Sequence, residues 1–141
     1  MLMSISAARP STPPYRPPAG DELVVLIVSA DANLRAAAAR VAAREGYRAL
    51  TAAHAGHAIL ASRREQIDLL AAELSMEEMS GPALAERLRR DNPQMGTVYF
   101  GSAGTRECEG ILVRPFTGDD LLHALLRARA DVLCRPTSSV A

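Results

Sequence analysis

The chain contains no lysine. Its 16 basic residues are all arginines, and 16 acidic residues balance them to a formal charge of zero, so no net positive field attracts a nucleic acid. No apolar run approaches the roughly 18 residues that a bilayer-spanning helix needs. The first ten residues, MLMSISAARP, also lack the basic and long apolar regions of a secretion leader. The sequence therefore predicts a cytoplasmic protein that has neither a nucleic acid nor a membrane as its partner.

Metal-binding side chains are few. The only cysteines are Cys108 and Cys134, and the only histidines are His54, His57 and His123. Their spacing matches no metal site, and a structural metal usually needs about four ligands. Two unpaired thiols fit a reducing compartment. We expect no metal and no cofactor.

Proline is concentrated at the start of the chain, where five of the nine prolines lie within residues 1–20. Because such a segment neither propagates a helix nor pairs in a sheet, we predict a disordered tail over residues 1–21. Residues 135–141 are predicted to form a flexible C-terminus. One domain, residues 22–134, remains between them, which is enough chain for a single core.

Apolar runs and amphipathic stretches alternate within that domain. Residues 23–28 (LVVLIV) are apolar throughout, which is typical of a strand buried on both faces of a parallel sheet. The pattern predicts further strands over residues 48–52, 67–74, 97–100 and 111–113, and helices over 32–45, 54–64, about 80–91 and from 117 onward. Five strands separated mostly by helices predict an α/β fold with a right-handed, doubly wound parallel sheet. Ligand sites on such a sheet lie at the carboxyl ends of the strands.

Local signals mark the helix ends. Asp31 is placed to cap the first helix, and Gly46 is placed to end it. Ile59 and Leu60 are the expected apolar anchors of the second helix. The segment Thr117–Asp120 resembles a capping box at the start of the last helix, with Asp in the usual place of Glu.

Four segments in this order resemble the receiver domain of bacterial response regulators. They are VLIVSADANLR (25–35), DLLAAELSMEEMSG (68–81), TVYFGSA (97–103) and LVRPF (112–116). The resemblance covers about residues 22–133. It implies a flavodoxin-like five-stranded sheet in the order 2-1-3-4-5, and a cis bond before Pro115.

The resemblance also implies a site, because receivers transfer a phosphoryl group to an aspartate. A pair of acids holds Mg²⁺ there, while a lysine and a hydroxyl bind the phosphoryl oxygens. The matching positions in this chain are Ser29 and Ala30 for the acids, Glu73 for the phosphoacceptor, Arg114 for the lysine and Ser102 for the hydroxyl. Asp31 is acidic but lies one place late, where helix capping is the favoured role. Both metal-binding acids are therefore absent.

Two interpretations of Glu73 remain open. In one, its carboxylate imitates a phosphorylated aspartate and pairs with Arg114, with Ser102 nearby, so that the domain is held in one state. In the other, these three residues are a polar remnant in which each satisfies the others.

The connection between the fourth and fifth strands is unusually short. Only residues 103–113 separate Ser102 from Arg114, and the fifth strand takes the last three of them. About seven residues are too few for a stable helix, so the fourth helix of the family is predicted to be missing or reduced to a loop. An uncovered sheet face leaves apolar surface, and we expect a binding or homodimer surface at Val98, Tyr99, Phe100, Ile111 and Val113. Alternatively, the short loop or the second and third helices close over this surface.

These observations predict a non-enzymatic, stand-alone pseudo-receiver that acts without phosphorylation. Its partner would be a histidine kinase, another response regulator, a different regulator, or a second copy of itself. The alternative is a working phosphoacceptor that uses Glu73, or more remotely Asp68 or Glu77. No nucleophile–base pair, GxGxxG motif or Walker loop supports an enzyme.

Overall fold

A computed structural model describes residues 23–102 and 110–134. The strands within these ranges are β1 (Val24–Val28), β2 (Arg48–Ala52), β3 (Leu69–Glu73), β4 (Gly96–Gly101) and β5 (Ile111–Val113). These five parallel strands form one sheet in the order β2-β1-β3-β4-β5, which confirms the predicted flavodoxin-like fold. The helices are α1 (Ala32–Arg44), α2 (Ala55–Arg64), α3 (Gly81–Arg89) and α4 (Gly118–Cys134). The predicted disordered tail and flexible C-terminus lie outside the described residues.

The core has two layers, one on each face of the sheet. On one face, Val24, Leu26 and Val28 of β1 pack in the layer formed with α2 and α3. On the other face, Val25 and Ile27 pack in the layer formed with α1 and α4. Successive side chains of a strand point to opposite faces, so a central strand covered on both sides must be apolar at every position. This explains the uninterrupted run LVVLIV.

The predicted helix starts are confirmed. Asp31 Oδ1 accepts hydrogen bonds from the N–H groups of Asn33 (3.0 Å) and Leu34 (3.2 Å) at the start of α1. At the start of α4, Thr117 N–H donates to Asp120 Oδ2 (3.0 Å) and Asp120 N–H donates to Thr117 Oγ1 (3.1 Å). These bonds satisfy N–H groups that have no partner within their helix. Gly46, with φ +94°, follows the end of α1 in the left-handed conformation that glycine favours.

One predicted anchor of α2 is wrong. Leu60 is 52% exposed, whereas the buried residues of that helix are Ala55, Ala58 and Ser62. Small residues allow the helix backbone to lie close to the sheet, and this places the larger Leu60 on the solvent side. Ile59 does pack against the core from a partly buried position.

The connection from β4 to β5 is shorter than an ordinary crossover. β4 ends at Gly101 and β5 begins at Ile111, which leaves residues 102–110, whereas a crossover that contains a helix takes at least about 10–12 residues. Residues 103–109, where the fourth helix of the family is predicted to be missing or reduced to a loop, lie outside the described residues. Among the helices of the described ranges, none falls between β4 and β5.

The predicted binding surface is wrong at Val98 and Phe100. Both side chains are 1% exposed and belong to the layer under α1 and α4, and the ring of Phe100 stacks on Phe116 at 5.5 Å between centroids. Because side chains alternate along a strand, the five residues of the predicted surface lie on both faces of the sheet. Tyr99 pairs with Ile111 and Gly101 with Val113, so Tyr99, Ile111 and Val113 share the opposite face. All three are partly exposed.

Within the described ranges, no helix is long and apolar enough to cross a membrane.

Candidate functional site

Three strands bring the candidate side chains together at the carboxyl edge of the sheet. Glu73 is the last residue of β3, Ser29 follows β1 and Arg114 follows β5. β1 and β3 are neighbouring strands in which Val28 pairs with Ala72. The residues that directly follow these two, Ser29 and Glu73, therefore lie side by side. Arg114 starts two strands away from β3, and its long side chain spans that distance.

One carboxylate oxygen receives both donors. The Ser29 hydroxyl donates to Glu73 Oε2 at 2.6 Å, and Arg114 Nη2 donates to the same oxygen. The Glu73 side chain is only 15% exposed and that of Arg114 is 33% exposed. A carboxylate that loses water needs such donors in its place, and a charge-assisted bond to a guanidinium is among the stronger ones available.

Ser29 connects this carboxylate to the turn between β1 and α1. Ser29 is fully buried, and its hydroxyl oxygen accepts a hydrogen bond from Asp31 N–H at 3.1 Å. Its carbonyl oxygen accepts one from Arg35 Nη1 at 2.7 Å. A small hydroxyl thus holds the turn, the helix start and Glu73 in one hydrogen-bonded group.

The side chains of the other predicted site residues are not part of this group. Ala30 is exposed and carries no polar side chain. Asp31 uses Oδ1 to cap α1. Ser102 is exposed, and within the described ranges its hydroxyl forms no hydrogen bond to Glu73 or Arg114. The interpretation in which Glu73, Arg114 and Ser102 satisfy one another is therefore wrong for Ser102. The bond between Arg114 and Pro115 is cis, as predicted.

The residues present do not fit Mg²⁺. This ion prefers several oxygen ligands, with one or two carboxylates among them, yet Ser29 and Ala30 supply no carboxylate. Glu73 is the remaining carboxylate, and its Oε2 already accepts a hydrogen bond from the guanidinium group of Arg114. No group of three His, Cys, Asp or Glu side chains suited to a metal occurs in the part of the chain that the structure describes.

Gly81 brings the start of α3 against the end of β3. Its N–H donates to the carbonyl of Leu74 at 2.9 Å. A Cβ atom at this position would overlap the carbonyl oxygen of Glu73 and would lie 2.9 Å from Cδ1 of Tyr99. This close approach fixes the backbone that carries Glu73.

The family model of the response regulator receiver domain matches residues 25–126 of this chain. The match covers well over half of the sequence, so the chain belongs to that family. No curated protein has a significant sequence match to it.

Solved structures of low sequence identity share the fold. NtrX from Brucella abortus, solved with ADP, has a TM-score of 0.70 at 21% identity, and the match covers 78% of this chain. This chain spans only 27% of that NtrX chain. A response regulator receiver protein from Sinorhizobium medicae gives a TM-score of 0.70 at 18% identity, covering 81% of this chain and 99% of the other. The chemotaxis response regulator CheY4 of Vibrio cholerae gives a TM-score of 0.68 at 21% identity, and the match covers 76% of this chain and 98% of the CheY4 chain.

Sequence reasoning found the pairing of Glu73 with Arg114 but missed the role of Ser29. The family pattern presents position 29 only as a lost acid, whereas the hydroxyl of Ser29 donates directly to Glu73. The signal was present, because both residues end neighbouring parallel strands and a hydroxyl is a natural donor to a carboxylate. No sequence signal predicts the hydrogen bond from the Arg35 side chain to the Ser29 carbonyl, because this bond depends on the orientation of α1 relative to the turn.

Proposed function

We propose that this chain is a receiver domain that acts without phosphorylation, by binding another signalling protein. The observation that carries the proposal is the double occupation of Glu73 Oε2 by Ser29 and Arg114. The two donors bind the residue that stands at the phosphoacceptor position.

Three features of this arrangement oppose phosphoryl transfer. An attacking carboxylate oxygen must approach phosphorus freely, whereas two donors engage one of the two oxygens of Glu73, Oε2, and hold the carboxylate in place. The developing charge must also be neutralised by a divalent ion, and Ser29 and Ala30 do not replace the acids that hold it. Glutamate is also a methylene longer than aspartate, and a displacement of about 1 Å can be costly to a reaction.

The ion pair substitutes for the modification in holding one conformation. Arg114 directly follows β5, so its bond to Glu73 ties the end of β5 to the end of β3. Arginine stays charged at all physiological pH values and presents a planar fork of donors. The tie therefore needs no phosphoryl group, and the domain is held in a single state.

The partly exposed face of Tyr99, Ile111 and Val113 is the surface that we assign to a partner. Val113 precedes Arg114, so the ion pair and this surface share one stretch of backbone. The partner is a histidine kinase, another response regulator or a different regulator. A cytoplasmic location, expected from the sequence, is part of the proposal.

The alternative acceptors named from sequence lie in unsuitable places. Asp68 is at the start of β3, at the opposite edge of the sheet, where its Oδ2 accepts the Val24 N–H at 2.8 Å. Glu77 is exposed in the segment between β3 and α3. Neither is part of the group around Glu73.

An NMR titration tests the proposal. The amide shifts of the natural protein are followed as Mg²⁺ is added, and then beryllofluoride, which imitates a phosphoryl group. The matched control is the variant S29D/A30D/E73D/R114K, which restores the residue types of the family at four positions. We expect saturable shifts around residues 29, 73 and 114 only in that variant. Saturable shifts at the same positions in the natural protein would show a working phosphoacceptor and overturn the proposal.

A further inference from the structure

A cavity of about 200 Å³ lies at the amino ends of the strands, at the opposite edge of the sheet from Glu73. Three neighbouring strands begin at its wall. Leu23 lines it just before β1, Leu69 at the start of β3 and Met95 just before β4. We call it the amino-end cavity.

The size and lining of the amino-end cavity suit one large side chain better than a free ligand. Small-molecule pockets usually measure about 300–1,000 Å³ and carry several convergent polar groups. The wall of this cavity is mostly apolar, and Gln66 and Gln94 line it from exposed positions. Asn92, a buried polar residue of the wall, already has partners. Its Oδ1 accepts the Ile67 N–H at 2.8 Å, and its Nδ2 donates to the Leu88 carbonyl at 3.1 Å.

The chain reaches the described part of the molecule directly at this cavity. Leu23 is the first described residue and lines the cavity. Its carbonyl accepts the Arg48 N–H at 2.9 Å, which holds its backbone beside β2. Residues 1–22 precede it in the sequence and are therefore tethered to the cavity wall. A segment on so short a tether has an effective concentration on the order of millimolar, which favours it over a free partner.

This segment carries an aromatic residue at a suitable distance from Leu23. Tyr15 stands between two pairs of prolines in PPYRPP. Residues 17–20, Pro-Pro-Ala-Gly, have proline at the second position and glycine at the fourth, as type I turns prefer. A turn over these four residues brings Tyr15 across from Glu22, and so next to Leu23.

The composition of the segment favours docking. Proline restricts the free chain, so less conformational entropy is lost when the segment becomes ordered. An extended polyproline conformation also needs no hydrogen bonds within itself. Tyrosine combines an apolar ring with a polar tip, which matches an apolar wall with glutamines at exposed positions. Across the predicted turn, Arg16 faces Asp21, which has the opposite charge.

We infer that residues 15–22 fold back through a turn at 17–20 and that the ring of Tyr15 fills the amino-end cavity. The occupant is this chain's own segment. The disordered tail predicted from sequence then ends before Tyr15 and not at residue 21. The inference goes beyond the proposed function, because the amino-end cavity and the group around Glu73 lie at opposite edges of the sheet.

NMR of the full chain tests the contact. We expect NOEs from the Tyr15 ring to the methyl groups of Leu69 and Met95. Tyr15→Ala should abolish them and shift the amide signals of residues 66–69 and 92–95, because the cavity loses its occupant. Tyr15→Phe is the matched control. It keeps the ring, so it should shift the same amide signals less than Tyr15→Ala does.

A proline variant tests the turn. Pro18→Ala removes the proline at the second turn position, where its fixed φ favours the turn. Pro10→Ala is the matched control, since it makes the same change outside residues 15–22. The NOEs between Tyr15 and the cavity should weaken in Pro18→Ala and keep their intensity in Pro10→Ala. Equal intensities in the two variants would contradict the turn.

Two results would overturn the inference. In one, the natural protein gives no NOE between Tyr15 and the cavity, and Tyr15→Ala shifts none of the amide signals named above. In the other, a mixture of labelled and unlabelled chains gives these NOEs between copies, so that a second copy supplies the segment. Both readouts are remote from residues 29, 73 and 114, which report on Mg²⁺ and beryllofluoride. Failure of this inference and failure of the proposed function are therefore distinguishable.

Discussion

Ser29 and Glu73 are joined by a hydrogen bond of 2.6 Å from hydroxyl to carboxylate, at the level where β1 and β3 end side by side. The family pattern has an acid at position 29, and in the present geometry that acid would face Glu73 as a like charge. Serine instead places a hydrogen-bond donor beside the Glu73 carboxylate. Serine at position 29 therefore removes one carboxylate from this edge of the sheet and also helps to hold Glu73 in place.

We expect Glu73→Gln to lower the free energy of unfolding by about 1–2 kcal/mol, because the amide keeps the shape but loses the charge-assisted bond to Arg114. Urea denaturation measures the change. Glu86→Gln, at an exposed position on α3, is the control and should stay within about 0.5 kcal/mol. Equal effects at both positions would show that the partly buried ion pair contributes little to stability.

Ser29→Asp should destabilise the protein more than Ser29→Asn. The two side chains have nearly the same size, but only aspartate places a second negative charge beside the mostly buried carboxylate of Glu73. We expect a difference of at least about 1 kcal/mol between the two variants in thermal or urea unfolding. Added Mg²⁺ should reduce that difference, because the variant then offers two neighbouring carboxylates to the ion. If the two variants are equally stable, the electrostatic argument for Ser29 fails.

Asp31→Ala should cost about 1 kcal/mol of stability, because the N–H groups of Asn33 and Leu34 lose their acceptor. Asp31→Asn should change stability little, since asparagine caps a helix as well as aspartate does. Chemical denaturation separates the two variants. A large loss in Asp31→Asn would show that the charge of Asp31 matters beyond capping.

Gly81→Ala should lower stability by about 2 kcal/mol, because the new Cβ atom overlaps the carbonyl of Glu73 and crowds the ring of Tyr99. Gly56→Ala is the matched control in another helix. There the Cβ atom would meet only the exposed ring of His54 at 3.2 Å, and alanine favours the helix. A stable Gly81→Ala protein would mean that α3 can move away from β3 at little cost.

Tyr47→Phe should leave stability unchanged or raise it by up to about 1 kcal/mol. Tyr47 is 6% exposed, and among the described residues its hydroxyl is the buried side-chain group that has no hydrogen-bond partner. Removing an unsatisfied buried hydroxyl removes its desolvation cost. Thermal unfolding gives the sign, and a clear loss of stability would reveal a partner for the hydroxyl.

Much of the fold was predictable from sequence because its signals are local. The apolar run of β1, the cap at Asp31, the glycine after α1 and the capping box of α4 each depend on a few neighbouring residues. The observed ends of some strands differ from the predicted ones by one or two residues. Ile67, for example, was predicted within β3 but lies just before it, and its N–H donates to the Asn92 side chain at 2.8 Å. That shift follows from a contact between residues far apart in the chain.

The candidate site was predictable only in part. The sequence alone determined which residue types reach the carboxyl edge of the sheet, and so determined that the acids were lost and that Glu73 and Arg114 were charged. The tertiary structure decided that Ser29, and not Ser102, donates to Glu73. It also decided that Val98 and Phe100 are buried while Tyr99, Ile111 and Val113 share the other face. The reason is physical: residue types and local periodicity are written along the chain, whereas hydrogen-bond partners and exposed faces depend on how strands far apart in sequence align within the sheet.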